Sequence, residues 1–158
     1  MRALMAADRD IAVNRRARFE YHIDETVEAG LVLVGSEVKA LRDGKANLSD
    51  SYARVDKGEA WLLNLHISPY GPASQFSHEP TRTRKLLLHG REIERLMGKV
   101  KERGFTLVPL RLYFKDGRAK VEIALARGKK MHDKRDTIRE REARLDIDRA
   151  TKGRRRGS

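Results

Sequence analysis

The chain has 158 residues, room for one ordinary domain plus an appendage. It carries 35 Lys and Arg against 23 Asp and Glu, a formal net charge of +12 that favours phosphate backbones through counterion release. The absence of cysteine excludes disulfides and thiolate metal sites, and no apolar run approaches the ~20 residues of a membrane span.

The start, Met1 to Asp10, lacks the long apolar stretch of a secretory signal and contains acids, so a soluble cytoplasmic protein is expected. After this lead-in, Arg18 to Asp24 alternates apolar and polar side chains, as a half-buried strand should. Leu31-Val32-Leu33-Val34, bounded by Gly30 and Gly35, suits a strand buried on both sides. Ser36 offers an N-cap for a short helix carrying Val38 and Leu41, which Gly44 stops.

Tyr52 to Val55 and Ala60 to Leu65 flank Asp56-Lys57-Gly58-Glu59, a hairpin turn. Residues 67–83 hold three prolines and read as an irregular connection. Lys85 to His89 suits either a strand or a helix approach. Ile93, Leu96, Met97 and Val100 recur at i, i+3, i+4, i+7, an amphipathic helix packed on the core and ended by Gly104. Phe105 to Phe114 and Ala119 to Ala126 are strands joined through Asp116-Gly117, a strong hairpin signal. The count is about six strands, mostly antiparallel. The expected fold is mainly β with a few helices: a closed or nearly closed six-stranded antiparallel barrel of the oligonucleotide-binding type over residues 1–127.

From Gly128 onward the chain changes character. Residues 127–158 hold 13 Lys and Arg against 6 Asp and Glu, and no aromatic side chain follows Phe114. So little apolar surface cannot offset ~1–2 kcal/mol per residue of backbone ordering, so residues 128–158 are expected to be disordered in the free protein. Yet the segment is helix-prone. Thr137 and Glu140 form a capping-box pattern, and Glu140 to Arg144 and Asp148 to Lys152 are acid-before-base pairs at i, i+4. A barrel with such an extension suggests two contacts with something polyanionic.

Residues for chemistry are missing. The five histidines lack metal-ligand spacing, the glycines are scattered turn glycines, and no nucleophile elbow occurs. Glu37, Asp43 and Asp50 could in principle form a nuclease cluster, but solvated or helix-terminal carboxylates are the plainer reading. No enzyme, metal or cofactor is expected.

Several blocks are individually distinctive: Asn14-Arg15-Arg16-Ala17, Glu28-Ala29-Gly30-Leu31, Gly35-Ser36-Glu37-Val38-Lys39-Ala40-Leu41-Arg42, Asn47-Leu48-Ser49-Asp50-Ser51-Tyr52, His66-Ile67-Ser68-Pro69-Tyr70, Arg82-Thr83-Arg84-Lys85-Leu86-Leu87-Leu88, Thr106-Leu107-Val108-Pro109-Leu110 and Gly128 to Arg135. In this order they resemble the SsrA-binding protein family (small protein B) over about residues 10–145. Ala40 stands where serine is usual, and His132 where tyrosine is also common.

The resemblance implies an RNA-binding adaptor of trans-translation that does no catalysis. Its barrel would hold the tRNA-like domain of transfer-messenger RNA, and its tail would enter the decoding centre and empty messenger channel of a stalled ribosome. Elongation factor Tu and alanyl-tRNA synthetase would act on the same RNA. A general RNA-binding barrel is the alternative. Carried over position by position, the RNA-binding set is Asn14, Arg15, Arg16, Tyr21, Glu28, Lys39, Arg42, Arg84, Lys85 and Leu88. Polar groups would bond to unstacked bases or sugars and cations would meet phosphates. In the tail, Lys129, Lys130, Lys134 and Arg135 would engage ribosomal RNA phosphates. His132 would stack on a base, Asp133 would fix a turn, and Gly128 would let the chain bend. Arg139 and Arg141, with Arg144 and the more distal bases, would line the messenger channel.

Overall fold

The computed structural model describes residues 10–70, 78–129, 135 and 138–145. Among the described residues, nine strands and three helices precede the tail: β1 (Asp10–Val13), α1 (Ala17–Glu20), β2 (Tyr21–Leu31), α2 (Gly35–Arg42), β3 (Ala46–Asn47), β4 (Tyr52–Asp56), β5 (Glu59–Leu63), β6 (His66–Ile67), β7 (Arg84–Leu87), α3 (Gly90–Arg103), β8 (Thr106–Lys115) and β9 (Arg118–Gly128). Six of them close a ring in the order β8-β4-β5-β7-β2-β9 and back to β8, every pairing antiparallel. The expected six-stranded barrel is this ring. β1 pairs with β8 outside it, and β3 and β6 form a separate two-stranded ribbon.

Two seams of the ring are short. β4 meets β8 through Ala53 and Leu107, and β2 meets β7 at Gly30–Leu87 and Leu31–Leu86. A Cβ on Gly30 would stand 3.2 Å from the Cβ of Leu87, so the bare glycine lets the two strands approach. Leu41, Leu62, Leu86, Leu96, Leu112, Val121 and Ile123, among others, fill the interior. Each such burial removes a side chain from water for ~1.5–3 kcal/mol.

Both hairpins form as the sequence predicts. Lys57-Gly58 and Asp116-Gly117 each place two residues at positive φ, the geometry that matches strand twist. α3 ends at Gly104 in the left-handed conformation, and its Leu96 is buried.

Three local expectations change. Arg18 to Glu20 belong to a helical turn, not a strand, because Ala17 tucks into a small second core with Val108, Leu110, Ala124 and Ala126. Residues 32–34 are not strand, and Val32 and Val34 are exposed. Side chains claim backbone groups there: the Val34 amide donates to Glu37 Oε1 at 2.9 Å, and Arg82 reaches the Val32 carbonyl at 3.4 Å. The N-cap of α2 is accordingly Val34 rather than Ser36. Ser36 Oγ instead lies 2.9 Å from His78 Nδ1.

Regular structure runs slightly past residue 127. Gly128 pairs with Tyr21, and the Lys129 amide donates to the Glu20 carbonyl at 2.8 Å. In the tail, residues 138–145 are helical and all exposed, consistent with the helix-prone reading. Most of the segment expected to be disordered, Thr137 included, lies outside the described residues. Among the described residues no helix is long and apolar enough to cross a membrane.

Candidate RNA-binding surface

An open cleft of about 810 Å³ lies where β2, the starts of α2 and α3, and the β8–β9 turn converge. Leu33, Leu87, Leu88 and Phe114 give it an apolar wall, and Glu28 and Lys120 stand among its charged lining. Leu87 is 54% exposed, a large apolar side chain left uncovered at the mouth. An apolar wall beside hydrogen-bonding groups suits an unstacked base.

Glu28 is a held carboxylate. It lies opposite Glu122 across the β2–β9 ladder and accepts a 2.5 Å hydrogen bond from the Tyr113 hydroxyl. Lys115 Nζ stands 3.4 Å from the same oxygen. The Tyr113 bond, against some burial and with help from Lys115 and Lys120, holds the Glu28 carboxyl below the usual carboxylate range. Burial first, then the neighbouring carboxylate, pushes the Tyr113 hydroxyl above its ordinary value. Glu28 is therefore an ionised acceptor with a fixed orientation.

The residues expected to touch RNA fall in several places. Glu28 and Leu88 meet in the cleft. Asn14, Arg15, Arg16 and Tyr21 gather around α1, at the far end of β2. Seven residues of strand at ~3.3 Å each put Tyr21 roughly 23 Å from Glu28. Here Asn14 has structural work: its amide donates to the Leu110 carbonyl at 2.7 Å and its side chain to the Pro109 carbonyl at 3.1 Å. The strand register shifts between Pro109 and Arg111, because proline cannot donate to a ladder. Arg15 and Arg16 are exposed, with Arg16 3.5 Å from Glu20.

Lys39 and Arg42 are exposed on α2, Lys39 Nζ lying 5.8 Å from the Tyr70 ring centre. Lys85 is partly exposed, 3.5 Å from Glu59.

Arg84 is a correction. Its side chain is fully buried, with Nε 2.5 Å from Glu37 Oε2 and its two terminal nitrogens donating to the carbonyls of Leu65 and Pro80. It cannot meet an RNA phosphate without unfolding its surroundings. Glu37, expected to be a solvated or helix-terminal acid, is equally buried and also holds Arg82 at 2.6 Å. Asp43 caps the end of α2 and Asp50 is exposed. Among the described residues no group of His, Asp and Glu is arranged to hold a metal ion.

In the tail, Gly128 ends β9 and its φ is not positive. The Lys129 ammonium donates to the Arg18 carbonyl at 2.9 Å. Arg135, Arg139 and Arg141 are helical and exposed, while Lys130, His132, Asp133 and Lys134 lie outside the described residues. Sequence reasoning missed Tyr113 and Lys115, which hold the Glu28 carboxylate, and Lys120, which lines the cleft beside it. The one available signal was the density of bases flanking the predicted Asp116-Gly117 hairpin.

Barrel, cleft and extension together define a small basic β-barrel protein with a cation-rimmed groove. A family model described as SmpB protein matches residues 11–153, and the chain belongs to that family. The SsrA-binding protein of Desulforudis audaxviator (strain MP104C) is 61% identical over 146 residues, covering 92% of this chain and 95% of its own. That of Pelotomaculum thermopropionicum (strain DSM 13744 / JCM 10971 / SI) is also 61% identical over 146 residues, with the same coverage of both chains. A chain of the solved structure "tmRNA-SmpB: a journey to the center of the bacterial ribosome" superposes with a TM-score of 0.65 at 50% identity, covering 80% of this chain and 93% of that one.

Proposed function

We propose that this protein is a non-catalytic RNA-binding adaptor of trans-translation. The barrel binds the tRNA-like domain of transfer-messenger RNA, and the tail enters the decoding centre and empty messenger channel of a stalled ribosome. The observation that carries the reading is 61% identity to an SsrA-binding protein across 92% of the chain. Elongation factor Tu and alanyl-tRNA synthetase work on the same RNA, and the site of action is the cytoplasm.

The cleft supports a division of labour on the barrel. Its apolar wall, with Leu88, takes the face of an unstacked base while the oriented Glu28 carboxylate accepts from base amino or imino groups. Lys115 and Lys120 meet phosphates beside it, and Lys39, Arg42 and Lys85 meet phosphates elsewhere on the barrel. Arg15, Arg16 and Tyr21, with Asn14, form a second patch near the root of the tail. Lys130, Lys134, Arg135, Arg139 and Arg141 give the tail its attraction for ribosomal RNA. His132 stacks on a base there and Asp133 shapes the local turn.

Competition between transfer-messenger RNA and an unstructured RNA of equal length, at matched salt, tests the reading. A clear preference for the folded RNA is expected. Equal affinity would favour the general single-strand RNA-binding barrel instead.

A further inference from the structure

The segment from Asn14 to Glu20 is a strap across the outside of the barrel. One end is fastened to the β8 bulge, where Asn14 bonds the carbonyls of Pro109 and Leu110. Its middle is pinned by Ala17, 1% exposed in the second core. Its other end grips the chain as it leaves β9. There the Glu20 carbonyl takes the Lys129 amide, and the Arg18 carbonyl takes the Lys129 ammonium at 2.9 Å.

Arg18 sits in the one turn of α1, where the Ala17 carbonyl takes the Tyr21 amide and the carbonyls that follow have no helical partner further along. A charge-assisted bond from a lysine satisfies one of them. Two residues before Lys129, the Arg127 guanidinium lies 5.6 Å from the centre of the Phe105 ring. The root of the tail is thus tied by backbone and by side chain.

We propose that Lys129 is a positioning residue: docked on α1, it sets the direction in which the tail leaves the barrel. This rests on the function proposed above and replaces, for Lys129 alone, the phosphate contact that the sequence suggests. A tail that must find a ribosomal channel while the barrel holds a large RNA gains from a defined exit, because fewer orientations are searched in vain. The strap also links the two contacts, since Arg15 and Arg16 lie on it beside the tail's root.

The test compares Lys129→Met, which keeps the aliphatic stem and loses the donor, with Ala17→Gly, which loosens α1 and alters no charge. Spin labels on Arg54→Cys and Glu142→Cys, clean in a chain without cysteine, report the distance between barrel and tail. Both variants should keep a cooperative melting transition, lowered a few degrees in Ala17→Gly, and the affinity for transfer-messenger RNA. Both should broaden the label distance distribution and lower peptide tagging about tenfold, the effect of losing one charge-assisted hydrogen bond.

A distribution unchanged by Lys129→Met overturns the proposal. So does a tagging loss in Lys129→Met that Ala17→Gly does not reproduce, because that pattern marks a direct phosphate contact. If the unaltered protein supports no tagging at all, the adaptor reading fails instead, while the label distances on the free protein still report the docking.

Discussion

Arg84 Nε lies 2.5 Å from Glu37 Oε2, and both side chains are wholly buried. Two formal charges inside a barrel are tolerable only if each is paired and its remaining bonding capacity is met. Arg84 reaches two further carbonyls, while Glu37 takes Arg82 and the Val34 amide. The cluster fastens the start of α2 to β7 and to the segment preceding it.

Removing one partner leaves the other charge buried and alone. Glu37→Ala and Arg84→Ala should each cost ~3–5 kcal/mol of stability. Arg82→Ala, at a side chain 35% exposed, should cost far less. Urea denaturation measures all three, and equal effects at Arg82 and Arg84 would contradict the assignment.

The same carboxylate sets an acid limit. Burial opposes its charge, but the bonds from Arg82, the Val34 amide and Arg84 outweigh that and hold Glu37 below the ordinary value of 4.5. Because the folded-state value is depressed, its stabilisation is complete above 4.5 and is lost as the pH falls through the folded-state value. Urea midpoints measured between about pH 7 and pH 3 should decline at the acid end, and Glu37→Gln should flatten that decline.

Glu28→Gln should weaken binding of transfer-messenger RNA by tenfold or more, as expected for a base contact worth ~1–3 kcal/mol, with no collapse of the melting transition. Lys120→Ala should weaken binding to all RNAs and reduce the salt slope by about one. Filter binding across a salt series separates the two behaviours. Tyr113→Phe, which frees the carboxylate from its orienting hydroxyl, should follow Glu28→Gln in direction.

Asn14→Ala removes the side-chain donor to the Pro109 carbonyl at a part-buried bulge. A stability loss of ~1 kcal/mol is expected. Calorimetry would show it, and an unchanged transition would leave Asn14 as an RNA contact without a structural role.

Much of the barrel is legible because its signals are local. Asp116-Gly117 and Lys57-Gly58 specify turn geometry by themselves, and the Ile93–Val100 spacing with Gly104 specifies α3 from its own residues. What is not legible depends on distant partners. The alternation from Arg18 to Asp24 fits a strand, and only the second core that receives Ala17 turns its first residues into a helix. Val32 and Val34 look like core, yet their backbone is taken by the side chains of Arg82 and Glu37. Arg84 looks like a phosphate ligand because a basic residue in a basic chain carries no mark of burial. The cleft around Glu28 is invisible for the same reason: Tyr113 lies 85 residues away along the chain.

The division of labour between barrel and tail is tested most directly by removing residues 130–158. That cut spares Gly128 and Lys129, which the barrel holds. At physiological salt the truncated protein should bind the tRNA-like domain within about twofold of the full chain and fail to support peptide tagging on stalled ribosomes. A tenfold or greater loss of RNA affinity, or tagging that survives the cut, would contradict the account.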